Sequence, residues 1–188
     1  MIMRSLNRRS YLLFLPVLLL LLDQITKIWA RSVLREKDGI VLINGVLEFR
    51  YLENRGAAWG MFQGRYSVLS FVTIVLLVLF VLVLIRIPEG RKFFPLYMIT
   101  LFIIAGAIGN LIDRIVFGYV TDFIYFSLIN FPIFNVADIY VTCSVFILVF
   151  LFLFYYSEEE LSFLPFFGKK KSEEEPKETD DNSDESAS

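Results

Sequence analysis

Long apolar runs occupy residues 11–30, 66–87, 95–117 and 133–156, and shorter polar segments with periods of their own separate them. A helix rises about 1.5 Å per residue, so runs of about 20 residues match a hydrocarbon core roughly 30 Å thick. The pattern predicts a mainly α membrane protein, a four-transmembrane-helix bundle. Between the first two runs, Ile40–Ile43, Asn44-Gly45 and Val46–Leu52 read as a hairpin, because Asn-Gly suits a tight turn with positive φ. Its second arm alternates Leu47, Phe49 and Tyr51 with Glu48 and Arg50, giving a β element over about 40–53 with one apolar face for the membrane surface. The connection 118–132 has many aromatics and neither lysine nor arginine. It predicts an interfacial helical segment on the outer face.

Charge divides the chain unevenly. Residues 157–188 hold eleven acids and four lysines, which leaves fourteen bases and nine acids in residues 1–156. The first group predicts a disordered acidic cytoplasmic tail, and the second a single membrane-embedded domain. Arg4, Arg8 and Arg9 before an apolar run also suit a signal peptide, but no small-x-small cleavage site follows, so the run reads as an uncleaved first helix. Basic residues near the N-terminus, at 86–92 and at 169–171 favour cytoplasmic termini, although the first outer loop holds six bases of its own.

Composition narrows the chemistry. The chain has no histidine and one cysteine, Cys143, inside an apolar run, which removes His-based triads, His or Cys metal sites and internal disulfides. What remains is a set of ionisable and amide residues in or beside apolar spans, where each is costly. Asp23 and Lys27 are four apart on the first helix and able to pair, and a self-neutralising pair that packs helices is the simpler alternative. Asn54-Arg55-Gly56-Ala57-Ala58-Trp59-Gly60 permits close backbone approach, to a ligand or to a neighbouring helix. Gly106, Asn110 and Asp113 share one face of the third span, with Arg114 beside them; Asn135, Asp138 and Thr142 share a face of the fourth.

Depth brings these residues together. Asp23 lies roughly 18 Å up the first helix, and Asp113 and Asp138 roughly 27 Å above the lower ends of the third and fourth. Asn54 and Asp122 fall in the two connections on the same side. Convergence near one face predicts one site. Two carboxylates in a poorly solvated place share a proton, and such a dyad activates water while hydrogen-bonding the carbonyl under attack. Asp113, followed by Arg114 and sharing a face with Asn110, suits a permanently ionised structural role. Asp122 and Asp138 have no adjacent base and are the favoured dyad, the alternative being helix-capping or loop-satisfying carboxylates.

Asp23-Gln-Ile-Thr-Lys27, Asn54 to Gly60, Gly109-Asn-Leu-Ile-Asp-Arg114, Val120-Thr-Asp-Phe123 and Phe134-Asn-Val-Ala-Asp138, in that order, resemble the motifs of the lipoprotein signal peptidases, or signal peptidase II. The resemblance covers roughly residues 11–156; Trp59 stands where the family usually has phenylalanine. It implies a bacterial inner-membrane aspartic endopeptidase with four spans, both termini cytoplasmic and the site near the outer face. It would remove the signal peptide from diacylglyceryl-modified prolipoproteins, cutting before the lipidated cysteine, with Asp122 and Asp138 catalytic. Asn54, Gly56, Asn110, Arg114 and Asn135 match pocket positions, and Asp23, Lys27 and Asp113 supporting ones. No metal, other cofactor, nucleic acid or obligate protein partner is implied, and a monomer in contact with membrane lipid and prolipoprotein is expected. Two other classes compete: a metal-dependent membrane transferase, disfavoured by the lack of an Asp-x-x-Asp array, and a proton-coupled transporter, disfavoured by polar residues away from the midplane and by the lack of a repeat.

Overall fold

The computed structural model describes residues 10–56 and 66–164. The four helices are α1 (Phe14–Val33), α2 (Tyr66–Arg86), α3 (Phe94–Phe117) and α4 (Val136–Phe154), and the strands are β1 (Ile40–Ile43), β2 (Leu47–Asn54) and β3 (Val120–Phe126). The molecule is mainly helical with a small three-stranded antiparallel sheet in the order β1-β2-β3. Three of the helical segments are long and apolar enough to cross a membrane: Ser67–Arg86, Arg91–Phe117 and Val136–Phe154. α1 is also 20 residues long but carries Asp23, Lys27 and Arg31.

Local sequence sets the ends of the helices that matter most. α3 has a proline in its first turn, where no intrahelical N–H is needed, and stops at Gly118, whose φ of 74° lets its N–H bond the Arg114 carbonyl at 3.1 Å. α4 starts with a capping box. The Asn135 side chain accepts from the Asp138 N–H, and the Asp138 carboxylate accepts from the Asn135 N–H. α3 is the central helix, touching α1, α2 and α4. Small residues let it come close: a Cβ on Gly106 would lie 2.6 Å from the Ala137 carbonyl oxygen, and one on Gly109 2.5 Å from an Asp23 carboxylate oxygen. α2 is apolar all round, and its spanning window has no buried residue, so it forms an outer wall.

The expected hairpin forms, with the turn at Asn44-Gly45-Val46 and Gly45 at φ 70°. The expected helix in the 118–132 connection does not. Val120–Phe126 instead adds to the open edge of β2, and only Ser127–Ile129 makes a 3₁₀ turn. The run Val120-Thr-Asp-Phe-Ile-Tyr-Phe is β-branched and aromatic, which suits a strand once a partner edge is present. Trp29, Phe49 and Phe123 meet edge to face at 5.3–6.0 Å and fasten the sheet to α1.

A second core lies at the opposite end of the bundle, where Ile87, Leu96, Tyr97, Leu151 and Tyr156 are buried. The chain beyond Tyr156, expected to be a disordered tail from Ser157, belongs to it for eight more residues. Leu161 and Leu164 are buried there, Phe163 packs edge to face on Phe93, and Glu160 pairs with Lys92. The Lys- and acid-rich remainder, the basic N-terminal residues and the Ala57 to Gly60 part of the small-residue motif lie outside the described residues.

Candidate active site

The polar residues of α1, α3, α4, β2 and β3 meet where the sheet joins the bundle. β3 leaves the end of α3 and presents Asp122; the α4 capping box fixes Asp138 one turn from Asn135. The Asn135 amide donates to Asp122 Oδ1 at 2.6 Å and to Asn110 Oδ1 at 3.1 Å, while its backbone N–H donates to Asp138 Oδ2 at 3.1 Å. One asparagine therefore touches both carboxylates. Asn54 donates to Asp122 Oδ2 at 2.8 Å, and Asn110 donates to Asp138 Oδ1 at 2.7 Å. Gly56 is buried and returns its N–H to Asn54 Oδ1 at 3.0 Å, which holds the Asn54 amide with its donor turned to Asp122.

Charge is balanced beneath this pair. Lys27 and Asp23, both fully buried, pair at 3.0 Å as their spacing predicts, and Lys27 also donates to Asn110 Oδ1 at 2.9 Å. Asp23 further accepts from the Ala137 N–H at 3.0 Å, tying α1 to the first turn of α4. Asp113 is also fully buried, but its partners are not the adjacent Arg114. Lys27 and Arg31 each approach it to 3.7 Å, and the Thr121 N–H donates to it at 2.9 Å. Neighbouring helical residues diverge by about 100°, and Arg114 forms no hydrogen bond or ion pair among the described residues. Burial, and after it the neighbouring Asp138 carboxylate, push Asp122 up from the ordinary carboxylate range to about 7, against the hydrogen bonds from Asn54 and Asn135.

The ten candidate site residues, Asp23, Lys27, Asn54, Gly56, Asn110, Asp113, Arg114, Asp122, Asn135 and Asp138, lie in or beside this network. Arg31 joins it as well, and Thr121 and Gly109 join it though their motifs assign them no role. Arg31 had a signal to offer: Asp23, Lys27 and Arg31 follow at i, i+4 and i+8 on one helical face. Among the described residues no group of three or more carboxylates or cysteines is arranged to hold a metal ion.

A family profile described as signal peptidase (SPase) II matches residues 15–154. The chain belongs to the signal peptidase II family. It is 41% identical over 136 residues to a lipoprotein signal peptidase of Clostridium tetani, covering 71% of this chain and 86% of that one. It is 33% identical over 138 residues to one from Streptococcus agalactiae, covering 73% and 88%. A solved bacterial membrane enzyme, determined in meso at 2.3 Å, superposes with a TM-score of 0.69 at 31% identity over 77% of this chain and 87% of that one. Membership of the signal peptidase II family makes the chain a peptidase with membrane-spanning helices.

Proposed function

We propose that this chain is an aspartic endopeptidase that removes the signal peptide from diacylglyceryl-modified prolipoproteins, cutting before the lipidated cysteine, with Asp122 and Asp138 as a water-activating dyad. The observation that carries this reading is the double role of Asn135, which holds one carboxylate through its side chain and the other through its backbone. Burial and the neighbouring Asp138 carboxylate push Asp122 up to about 7, so the pair keeps one proton where exposed aspartates have lost theirs, and the carboxylate left ionised is able to serve as the base. In the reaction one carboxylate takes a proton from water as the oxygen attacks the scissile carbonyl. The other gives its proton to that carbonyl oxygen, and a proton returns to the amine as the C–N bond breaks. Arg114, with donors unclaimed by any described residue, is placed to hold a substrate carbonyl.

The arrangement suits a substrate anchored in lipid. The outward residues of α1, among them Phe14, Leu18, Leu21, Ile25 and Ile28, are exposed and apolar, while Asp23 and Lys27 face inward. That division supports α1 as a fourth span despite its charges. Four spans put both termini on one side, which the basic loop at 86–92 favours as the cytoplasm, and the dyad then lies near the outer face of the inner membrane. The peptide's lipid chains stay in the bilayer while its backbone reaches the carboxylates; the enzyme acts as a monomer.

The test is cleavage of a lipidated substrate peptide in detergent. Asp122→Asn and Asp138→Asn are each expected to lower kcat by at least about a thousandfold, since an amide is not a base, while the protein still inserts. A chelator is expected to have no effect. Full activity in either variant, or loss of activity on chelation, would reject the dyad.

A further inference from the structure

We propose that Arg31 is a positioning residue for Asp122, acting through Thr121 and Asp113; the inference rests on the dyad reading above. The need for such a device is visible in the sheet. Pairing of β2 with β3 is regular on either side, but between Phe49↔Ile124 and Leu52↔Asp122 it slips, with an extra residue on β2. A bulge of this kind bends the strand and re-aims side chains, so the ladder alone leaves the register at Asp122 weakly held.

The residue immediately before Asp122 is held from two helices instead. The Arg31 Nη1, from α1, donates to Thr121 Oγ1 at 2.8 Å. Asp113, from α3, accepts the Thr121 N–H on Oδ2 at 2.9 Å. Arg31 and Asp113 are joined in turn, Nη1 to Oδ1 at 3.7 Å, and the Arg31 guanidinium lies 4.5 Å over the Phe117 ring, which fixes its plane. Thr121 and Asp113 are fully buried. The Asp113 Oδ1 accepts no hydrogen bond among the described residues, so the Arg31 guanidinium is the cation beside that oxygen. Removing it leaves a buried oxygen without its cation on the same carboxylate that holds the Thr121 N–H. The Arg31 side chain is only 16% exposed and its contacts point inward, which sets it apart from Arg114, whose donors are unclaimed among the described residues.

The test measures kcat and KM for the lipidated peptide, with thermal unfolding in the same detergent, for Arg31→Met, Arg31→Lys, Thr121→Val and the Met/Val double variant. Arg31→Met is expected to lower kcat by about 10- to 100-fold, the scale of a small misplacement of a reacting group, with KM within about threefold. Thr121→Val should move kcat the same way. The double variant should be no slower than Arg31→Met, because both changes release one grip. Arg31→Lys, which keeps the cation beside Asp113, should recover part of the loss. A folded Arg31→Met enzyme with wild-type kcat would overturn the proposal, as would raised KM with kcat intact, the mark of a substrate contact. If Arg31→Met fails to fold, Thr121→Val decides, since it alters no charge: wild-type kcat there overturns it. Asp122→Asn, run in parallel, separates the two readings. An active Asp122→Asn enzyme removes the dyad itself, whereas an inactive one beside wild-type Arg31→Met removes only the positioning role.

Discussion

At the scale of single residues, Asp122 works against its own solvation, and the consequence is a pH dependence with a defined sign. A carboxyl held up to about 7 is protonated in the folded enzyme over a range where the unfolded chain, with its ordinary value of 3.8, has released the proton. The folded state binds more protons there, so the contribution of Asp122 to stability is complete below about 3.8 and is lost as pH rises through about 7. Wild type should therefore lose unfolding temperature between pH 4 and 7 relative to Asp122→Asn, which cannot titrate; parallel pH dependences in the two proteins would contradict the assignment. In the proposed dyad the same proton is needed for chemistry. In substrate-free enzyme kcat/KM should fall by about tenfold per pH unit well above 7, a limb that a pH–rate profile reads directly. That Asp122 and Asp138 fall at one place was legible in the chain because both stand at the same end of apolar spans, where ionisable groups are costly, and Asn135 touches both. The partners of Asp113 were not, because adjacency in sequence is divergence on a helix, and the cations that reach Asp113, Lys27 and Arg31, both come from α1.

Between elements, the site depends on how closely α3 lies against its neighbours, and here two glycines differ in what they tolerate. At Gly106 an added Cβ meets the Ala137 backbone carbonyl at 2.6 Å and the Val141 methyl at 2.8 Å. Backbone cannot rotate away, so α3 and α4 must part, and with them Asn110 and Asp138. At Gly109 the obstacle is the end of the Asp23 side chain, at 2.5 Å, which is able to move only by weakening its bonds to Lys27 and the Ala137 N–H. Gly106→Ala is therefore expected to destabilise by about 1–3 kcal/mol, the usual cost of overpacking, and to cut kcat more deeply than Gly109→Ala. Unfolding and single-turnover cleavage of the two variants would check the order; equal, near-wild-type values would mean that the helices do not need this spacing. The hairpin was readable because its turn and its alternation are local. The 118–132 strand was not, since its partner edge on β2 lies about 70 residues away and composition alone suits an interfacial helix as well.

For the whole molecule, the two ends of the bundle do different work, and the chain after α4 belongs to one of them. The site end holds charges and amides; the far end is apolar, with Leu161 and Leu164 buried against α2 and α3 and with Tyr156 donating to the Lys92 carbonyl at 2.9 Å. Composition hid this, because Glu158-Glu159-Glu160 precedes the packed residues and reads as the start of a solvated tail. Burying two leucines contributes about 3–6 kcal/mol as an upper figure. Ending the chain at Tyr156 should therefore lower the unfolding temperature by roughly 6–24 °C at 2–4 °C per kcal/mol, whereas ending it at Leu164 keeps both leucines and should leave the temperature close to wild type. Both truncations should retain kcat at temperatures where they are folded, since every residue of the hydrogen-bonded network lies between Asp23 and Asp138. If ending at Tyr156 abolished cleavage without a stability change, the far end would be coupled to the dyad along α3 or α4, and the division of labour argued from burial would be wrong.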